Sequence, residues 1–414
     1  MNERHMVTEI VLGDLLGTGG FSNVHSIHQI NLNSQSLNES HEYDRLARKD
    51  LSRTCVTILD PIYDDTINGK KSKNNSSFSK TSLQYSYVFK ALKPNLPDSE
   101  HTKGMVDLAV EARLLSTLSH PHIITMRATA DVDPLEHNFF VVLDRLQMTL
   151  DKQLKIWRQH VNKARGWKCF YFCSCSKIFL RGCCNRFTCA NKHRLHSIWM
   201  ERLTVAKNIA LAMQYLHLKQ IIYRDLKPDN VGFNKEGDVK IFDFGLAKRI
   251  HLEEKMDNDL YNLTGNTGSL RYMAPEVALG KPYDTRVDSY SFGILFWQLC
   301  SLTTPYSGYT CKMHADYVVK QGYRPQPDLT WQYSWTELME DCWANDIFDR
   351  PNFDYIVSSL ENEITLLCRD DGMVGNSPDA LSQVKPKKKI KPVIAGELDE
   401  DTRISIMAKE TEIV

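Results

Sequence analysis

The chain has 414 residues, 42% hydrophobic and 25% charged, which is the balance of a globular protein with room for two or three domains or one large two-lobed domain. Lys+Arg and Asp+Glu both number 51, so no net field favours nucleic acid as a partner. The opening MNERHMVTEIVLGDLLG lacks the apolar core of a signal peptide, and no run has the length of a membrane span. The expectation is a cytoplasmic chain, with the nucleus as the alternative, whose thiols are kept reduced.

Residues 7–30 alternate apolar and polar around a glycine-rich turn, which predicts strand, loop, strand. Residues 31–82 are rich in Asn, Ser and Lys and carry no period, so they read as a long flexible insertion. Strand character returns over 83–92. Residues 102–118 have apolar positions at helical spacing, and 138–146 form a buried-strand run. From Ile198 to Leu218 a second helical face gathers Leu203, Ala206, Ile209, Ala210, Met213 and Leu216. DVKIFDF reads as a short strand and VDSYSFGILFWQLC as a strongly apolar helix, and from about 367 the pattern dissolves into a disordered tail.

GTGGFSNV at 17–24 lies between two strands, and glycines there let backbone N–H groups approach a polyphosphate; alone it reads more readily as a hairpin turn. IYRDLKPDN at 222–230 is far more specific. It sets Asp225, Lys227 and Asn230 within six residues, and Asp243 follows at the end of a strand in IFDFG. Phosphoryl transfer needs hard oxygen ligands for Mg²⁺, a group that takes the proton of the attacking hydroxyl, and a cation on the transferred phosphate. Asn230 and Asp243 suit the metal, Asp225 the hydroxyl and Lys227 the phosphate.

These residues in this order, followed by MAPE at 273–276, resemble the eukaryotic protein kinase family, most closely its tyrosine-kinase-like group of Ser/Thr kinases. The resemblance implies an α+β, bilobal kinase fold, with a small β-rich N-lobe over 9–146 and a larger helical C-lobe over 147–366. It implies ATP and Mg²⁺ as cofactors and protein substrates. Gly17, Thr18, Gly19, Gly20 and Val24 would cover the phosphates, and Lys90 in YVFKALK would bind them, paired with Glu111. Val88, Leu143, Asp144 and Leu146 would surround adenine, with Leu143 as gatekeeper. Asp288 would hold the catalytic loop, and Arg350 would pair with Glu276. Thr264 and Thr267 would be phosphorylated and meet Arg224, ordering the segment that contains them. Lys227, together with Ser269 beside the catalytic Asp, implies Ser/Thr specificity, whereas MEDCWANDIFDRPNF resembles the tyrosine-kinase side.

The chain departs from the family's pattern at several places. Tyr223 stands where His is common, at a structural position beneath the loop. Ser22 replaces a third glycine, which should stiffen the phosphate lid. Gly232 stands where a bulky residue packs under adenine in the family, and the extra bulk of Val88 is expected to offset part of the gap. The insertion separates Gly17 from Lys90 by 73 residues, yet closure entropy grows only logarithmically, at a cost on the order of 1 kcal/mol. A pseudokinase scaffold is the rival reading, and a tyrosine or dual-specificity kinase the next.

A second insertion, 158–197, is basic and holds six Cys between 169 and 189, with His193 and His196 nearby. Three readings stay open: an ordinary variable insertion, a peripheral membrane or acidic-partner contact with acylated Cys, or a Zn²⁺ site whose spacing matches no standard pair. KPKKKIKP at 385–392 reads as a solvated linker or an import signal, and the final ETEIV as a peptide end open to capture.

Overall fold

Alternating apolar residues on both sides of the glycine turn form β1 (Ile10–Thr18) and β2 (Ser22–Ile30), paired antiparallel. The computed structural model describes residues 10–30, 87–130, 132–171 and 181–372. The whole first insertion at 31–82, the basic run at 385–392 and the C-terminal ETEIV lie outside these residues. Strand β2 pairs with β3 (Tyr87–Leu92), so the chain returns to the sheet after the insertion in a register that sets Val24 opposite Lys90.

Helix α1 (Asp98–Leu115) starts earlier than the 102–118 run implies, because Pro97 precedes it and Asp98 and Glu100 occupy its first turn, where carboxylates favour the helix dipole. Strands β4 (Met126–Thr129) and β5 (Phe140–Asp144) complete a five-stranded sheet of order β1-β2-β3-β5-β4. With α1 this is the small, β-rich lobe.

The rest is mainly helical, so the fold is α+β and bilobal, as the resemblance implies. Short strand β6 (Met148–Thr149) leads into α2 (Leu150–Tyr171), and α3 (Arg181–Leu218) follows. The predicted face of α3 is fully buried from Leu203 to Leu216. Beyond it come β7 (Ile221–Ile222), β8 (Val231–Phe233), β9 (Val239–Ile241) and β10 (Lys248–Arg249), in two small sheets of order β6-β8-β9 and β10-β7. The short α4 (Pro275–Ala278) precedes α5 (Arg286–Ser301), which is buried on nearly every face and therefore forms the axis of the lobe. Next come α6 (Cys311–Met313), which runs on into a π-helical turn at His314–Lys320, then α7 (Tyr333–Cys342) and α8 (Phe353–Gly372). A Cβ on Gly293 of α5 would stand 2.8 Å from Cys342 Cβ, so these two helices pack at a separation that needs glycine.

The stretch 158–197 differs from a loop excursion at both ends. Helix α2 continues to Tyr171 and α3 begins at Arg181, so the flanking helices reach into it. Val161 and Ala164 are buried, as is Ile198 just past its end. An apolar residue every three or four positions keeps that stripe on the core. The side chains of the six cysteines lie outside the described residues, and His196 directs Nε2 to the carbonyl of Leu367 at 3.2 Å. Among the described residues there is no cluster of His, Cys, Asp and Glu that could hold a metal ion, and no helix long and apolar enough to cross a membrane.

Because Val161 packs into the core while its neighbour Asn162 is exposed, Val161→Asp should destabilise the protein by on the order of 3 kcal/mol and Asn162→Asp by little. Thermal unfolding of the two variants checks this. Equal melting temperatures would mean that α2 does not belong to the core at this point.

Candidate active site

The residues read from the motifs converge on a cleft of about 970 Å³. Its roof is the β1–β2 turn: Gly17, Thr18, Gly19, Gly20, Ser22 and Val24 all line it. The turn closes through the Gly19 N–H, which donates to Ser22 O at 2.8 Å. A Cβ on Gly17 or Gly20 would meet nothing within 4 Å, so open space lies beside this backbone. Lys93 Nζ donates to Gly20 O at 2.9 Å and fastens the tip to the sheet.

Lys90 projects from β3 to Glu111 of α1 at 2.6 Å and to Asp243 at 3.0 Å. Burial works against the Lys90 charge, but the two carboxylates outweigh it and hold its pKa above the ordinary lysine value. Lys90 in turn holds the Asp243 carboxyl below the usual range, against the opposing effect of burial, and Asp243 keeps a half-exposed side chain at the cleft. A left-handed backbone at Asp243 (φ 65°) aims the carboxylate there. Helix α1 can approach this turn because Gly245 has no side chain: a Cβ would lie 3.1 Å from Asp107 Cβ and 3.4 Å from Asp107 O.

The catalytic-loop candidates form one hydrogen-bonded knot. Asp225 Oδ2 accepts from Lys227 Nζ at 2.6 Å and from Asn230 Nδ2 at 2.8 Å. Asn230 Nδ2 also donates to Asp225 O, which leaves the amide oxygen of Asn230 to face the cleft. Lys227 Nζ donates as well to Ser269 Oγ at 2.8 Å. Asp225 Oδ1 is buried without a partner among the described residues. An orphaned carboxylate oxygen there is costly in a folded chain and poised to accept a hydroxyl proton. Gly268 (φ 103°) makes the approach of Ser269 possible, since a Cβ would sit 2.3 Å from Arg224 O.

Asp288, fully buried in α5, accepts from the backbone N–H groups of Tyr223 and Arg224 at 2.8 Å each. Tyr223 is fully buried, donates its hydroxyl to Phe242 O and stacks edge-on to Phe244. Its aromatic body fills the site and its polar tip is satisfied. Arg350 forms a fork with Glu276, at 2.6 and 2.9 Å. Of the two threonines, only Thr264 meets Arg224, with Nη1 3.3 Å from Oγ1. Thr267 instead donates to the carbonyls of Thr264 and Gly265.

Leu143, Asp144, Leu146 and Val88 line the far end of the cleft. A Cβ at Gly232 would stand 2.6 Å from Leu146 Cδ1, 3.2 Å from the Met148 carbonyl oxygen and 3.3 Å from Phe242 Cε1, so the Leu146 and Phe242 side chains and the Met148 backbone already occupy the space. Phe242 lies inside the IFDFG motif, but nothing in the sequence says its ring turns back over Gly232. Two further residues carried no sequence signal. Arg127 of β4 grips Asp144 through two bonds of 2.7 and 2.9 Å, and the Tyr283 hydroxyl bridges Arg224 and Thr264 O.

A family described as protein tyrosine and serine/threonine kinase matches residues 71–360. The chain belongs to this protein kinase family. Among curated relatives it is 34% identical to the serine/threonine/tyrosine-protein kinase HT1 of Arabidopsis thaliana over 196 residues, 47% of this chain and 48% of that one. It is 40% identical to the serine/threonine-protein kinase STY17 of the same plant over 162 residues, 39% of this chain and 27% of that one. A dual serine/threonine and tyrosine protein kinase of Pimephales promelas is 35% identical over 185 residues, 44% of this chain and 19% of that one. The chain spans half or less of the length of these relatives. The family match begins at 71, beyond β1, β2 and the glycine turn. The pairing of β2 with β3 is what brings that turn to the cleft.

Membership in the family implies the use of ATP and Mg²⁺. If Leu146 and Phe242 form the floor beneath the base, Gly232→Leu should weaken binding of a fluorescent ATP analogue by about ten-fold, roughly 1.4 kcal/mol. Leu146→Ala in the same chain should restore most of it, because it vacates the volume the new side chain needs. An unchanged affinity in Gly232→Leu would show that the floor has room to spare.

Proposed function

We propose that this chain is a protein serine/threonine kinase that transfers the γ-phosphate of ATP to hydroxyls of protein substrates. The observation that carries the reading is the Asp225 carboxylate, with one oxygen shared by Lys227 and Asn230 and the other without a partner. In this reading the site residues take the roles their geometry suits. Asn230 Oδ1 and Asp243 would hold Mg²⁺, whose charge, when bound, neutralises phosphate oxygens. Lys90 orients the phosphates and is itself kept charged and in place by Glu111. The β1–β2 turn supplies backbone donors above them. Asp225 Oδ1 accepts the hydroxyl proton of the substrate, and Lys227, shared between Asp225 and Ser269, stabilises the charge that develops on the phosphoryl group.

The link from Lys227 to Ser269 supports Ser/Thr rather than Tyr as acceptor, because it brings the segment at 268–271 close over Asp225 and narrows the approach to it. Phosphate on Thr264 would reach the Arg224 guanidinium 3.3 Å away and exchange a neutral hydrogen bond for a charge-assisted one. Cytoplasmic or nuclear residence fits the absence of a membrane-spanning helix among the described residues.

Incubation with radiolabelled Mg-ATP and myelin basic protein should yield phosphoserine and phosphothreonine. Asp225→Asn and Asp243→Ala should each reduce the rate by at least about 10³-fold while the protein still unfolds cooperatively. Wild-type activity no higher than that of these variants would leave a scaffold, and mainly phosphotyrosine would overturn the acceptor assignment.

For regulation, Thr264→Ala should lower the rate of a phosphorylated preparation several-fold. Thr267→Ala should act differently, loosening the 264–267 turn whether or not phosphate is present. Phosphatase treatment separates the two, since it should depress wild type to the Thr264→Ala level and leave Thr264→Ala unchanged.

A further inference from the structure

The cleft does not end at Lys227 and Ser269. Its wall continues along Arg271 and Tyr272, past Gln298 of α5, to Tyr306 and His314. His314 is only 2% exposed, and neither ring nitrogen has a hydrogen-bond partner among the described residues. Its ring stands edge-on to Tyr306, with centroids 5.2 Å apart, a contact that satisfies neither nitrogen. A buried polar group left unpaired costs about 1–3 kcal/mol, and native chains retain few of them without a reason.

The backbone is unusual at the same residue. Thr310 caps α6 by accepting from Met313 N, and the chain then passes into the π-helical turn that begins at His314. Such turns are rare, re-aim a side chain relative to a regular helix, and concentrate at functional sites. The π turn thus packs an imidazole into the cleft wall with both nitrogens buried and without a partner among the described residues.

The charges around it indicate what that is. Burial, together with Arg271 and Arg324, pushes the His314 pKa down to about 4, so the ring is neutral and offers one N–H and one lone pair. Arg324 is committed to the Trp343 carbonyl and the Asn345 amide oxygen. Arg271 is exposed and lies on the cleft wall between Ser269 and His314. The Tyr272 hydroxyl is taken by Gln298 Oε1. Arg271 is thus the exposed positive charge on this stretch of wall, in a cleft that the carboxylates of Asp151 and Asp229 also line.

We propose that this arm of the cleft receives an acidic side chain of the protein substrate, bound by the His314 imidazole and the Arg271 guanidinium at a fixed spacing from the phosphorylated hydroxyl. The inference rests on the protein kinase reading. It is continuity with the Asp225–Ser269 region that ties any occupant of the arm to the chain carrying the acceptor. A carboxylate completes one imidazole nitrogen and pairs with Arg271, whereas a neutral amide or hydroxyl uses the imidazole and leaves the guanidinium idle. A basic side chain would face the Arg271 guanidinium.

The test is a positional-scanning peptide library around a single Ser or Thr, phosphorylated by wild type, His314→Ala and Arg271→Glu. Wild type should favour Asp or Glu at one position, with KM about ten-fold lower than for Ala there, the scale of a single charge-assisted contact. His314→Ala should erase that preference, and Arg271→Glu should reverse it towards Lys or Arg at the same position. Arg271 is exposed, so its variant tests the idea even if His314→Ala unfolds, and thermal unfolding reports which has occurred. No acidic preference in wild type, or one that survives both substitutions, overturns the proposal. So does a preference for neutral polar side chains that His314→Ala removes and Arg271→Glu leaves. A chain that binds an ATP analogue and phosphorylates no peptide overturns the kinase reading itself, and this inference with it.

Discussion

The catalytic segment hangs on one buried carboxylate. Asp288 is fully excluded from solvent, and its oxygens are taken by the Tyr223 and Arg224 N–H groups and by His217 Nε2 at 2.9 Å. Hydrogen bonds to a charged acceptor are worth about 1.5–3 kcal/mol each, and a buried carboxylate stripped of them would be strongly destabilising. The arrangement is thus held from both sides: the carboxylate needs the donors, and the loop needs the anchor. Arg224 has a left-handed backbone (φ 68°), a conformation costly for a side chain with a Cβ, and the two bonds at this turn stabilise it. Everything from Asp225 to Asn230 inherits its position from this junction, and α5, as the axis of the lobe, supplies the rigidity.

Three glycines extend that order to the rest of the site by omission. Gly245 lets α1 approach the Asp243 turn, so Glu111 can reach Lys90. Gly268 lets the segment carrying Ser269 lie against the Arg224 carbonyl. Gly293 lets α7 settle on α5. In each case a methyl group would meet backbone or a Cβ, which cannot swing aside as the end of a flexible side chain can. A phosphate on Thr264, as proposed above, would act on the segment around Arg224 and Tyr283, which the Thr264 hydroxyl and carbonyl already contact.

The end of the cleft lined by Val88, Leu143 and Leu146 follows a different logic. A missing side chain at Gly232 is filled by Leu146 from the segment after β5 and by Phe242 from the strand that precedes Asp243. Phe242 is thereby tied to two functions, since its carbonyl also receives the Tyr223 hydroxyl. The substitution of Tyr for His at 223 and the loss of a side chain at 232 thus converge on one residue, through its main chain and its ring. Neither departure leaves a cavity or an unpaired group at that point.

The sequence by itself determined the chemistry and most of the fold. Asp225, Lys227 and Asn230 lie so close along the chain that local geometry alone confines them to one knot, and a fully apolar helix such as α5 has nowhere to go but the core. The pairing of Lys90 with Glu111 was legible only through the family's pattern, and the reach of Lys90 to Asp243, 153 residues on, only in the fold. What remained for the tertiary structure were the matters decided by side-chain direction and by packing between distant segments. Thr264 and Thr267 are equivalent in a sequence, and only the fold turns one of them to Arg224. The occupants of the Gly232 gap come from 86 residues upstream and 10 downstream. The first end of the 158–197 stretch is helical because Val161 and Ala164 continue the buried stripe of α2. His314 has no motif at all, and its unpaired ring acquires meaning only because the chain folds it into the wall of the cleft that holds Asp225.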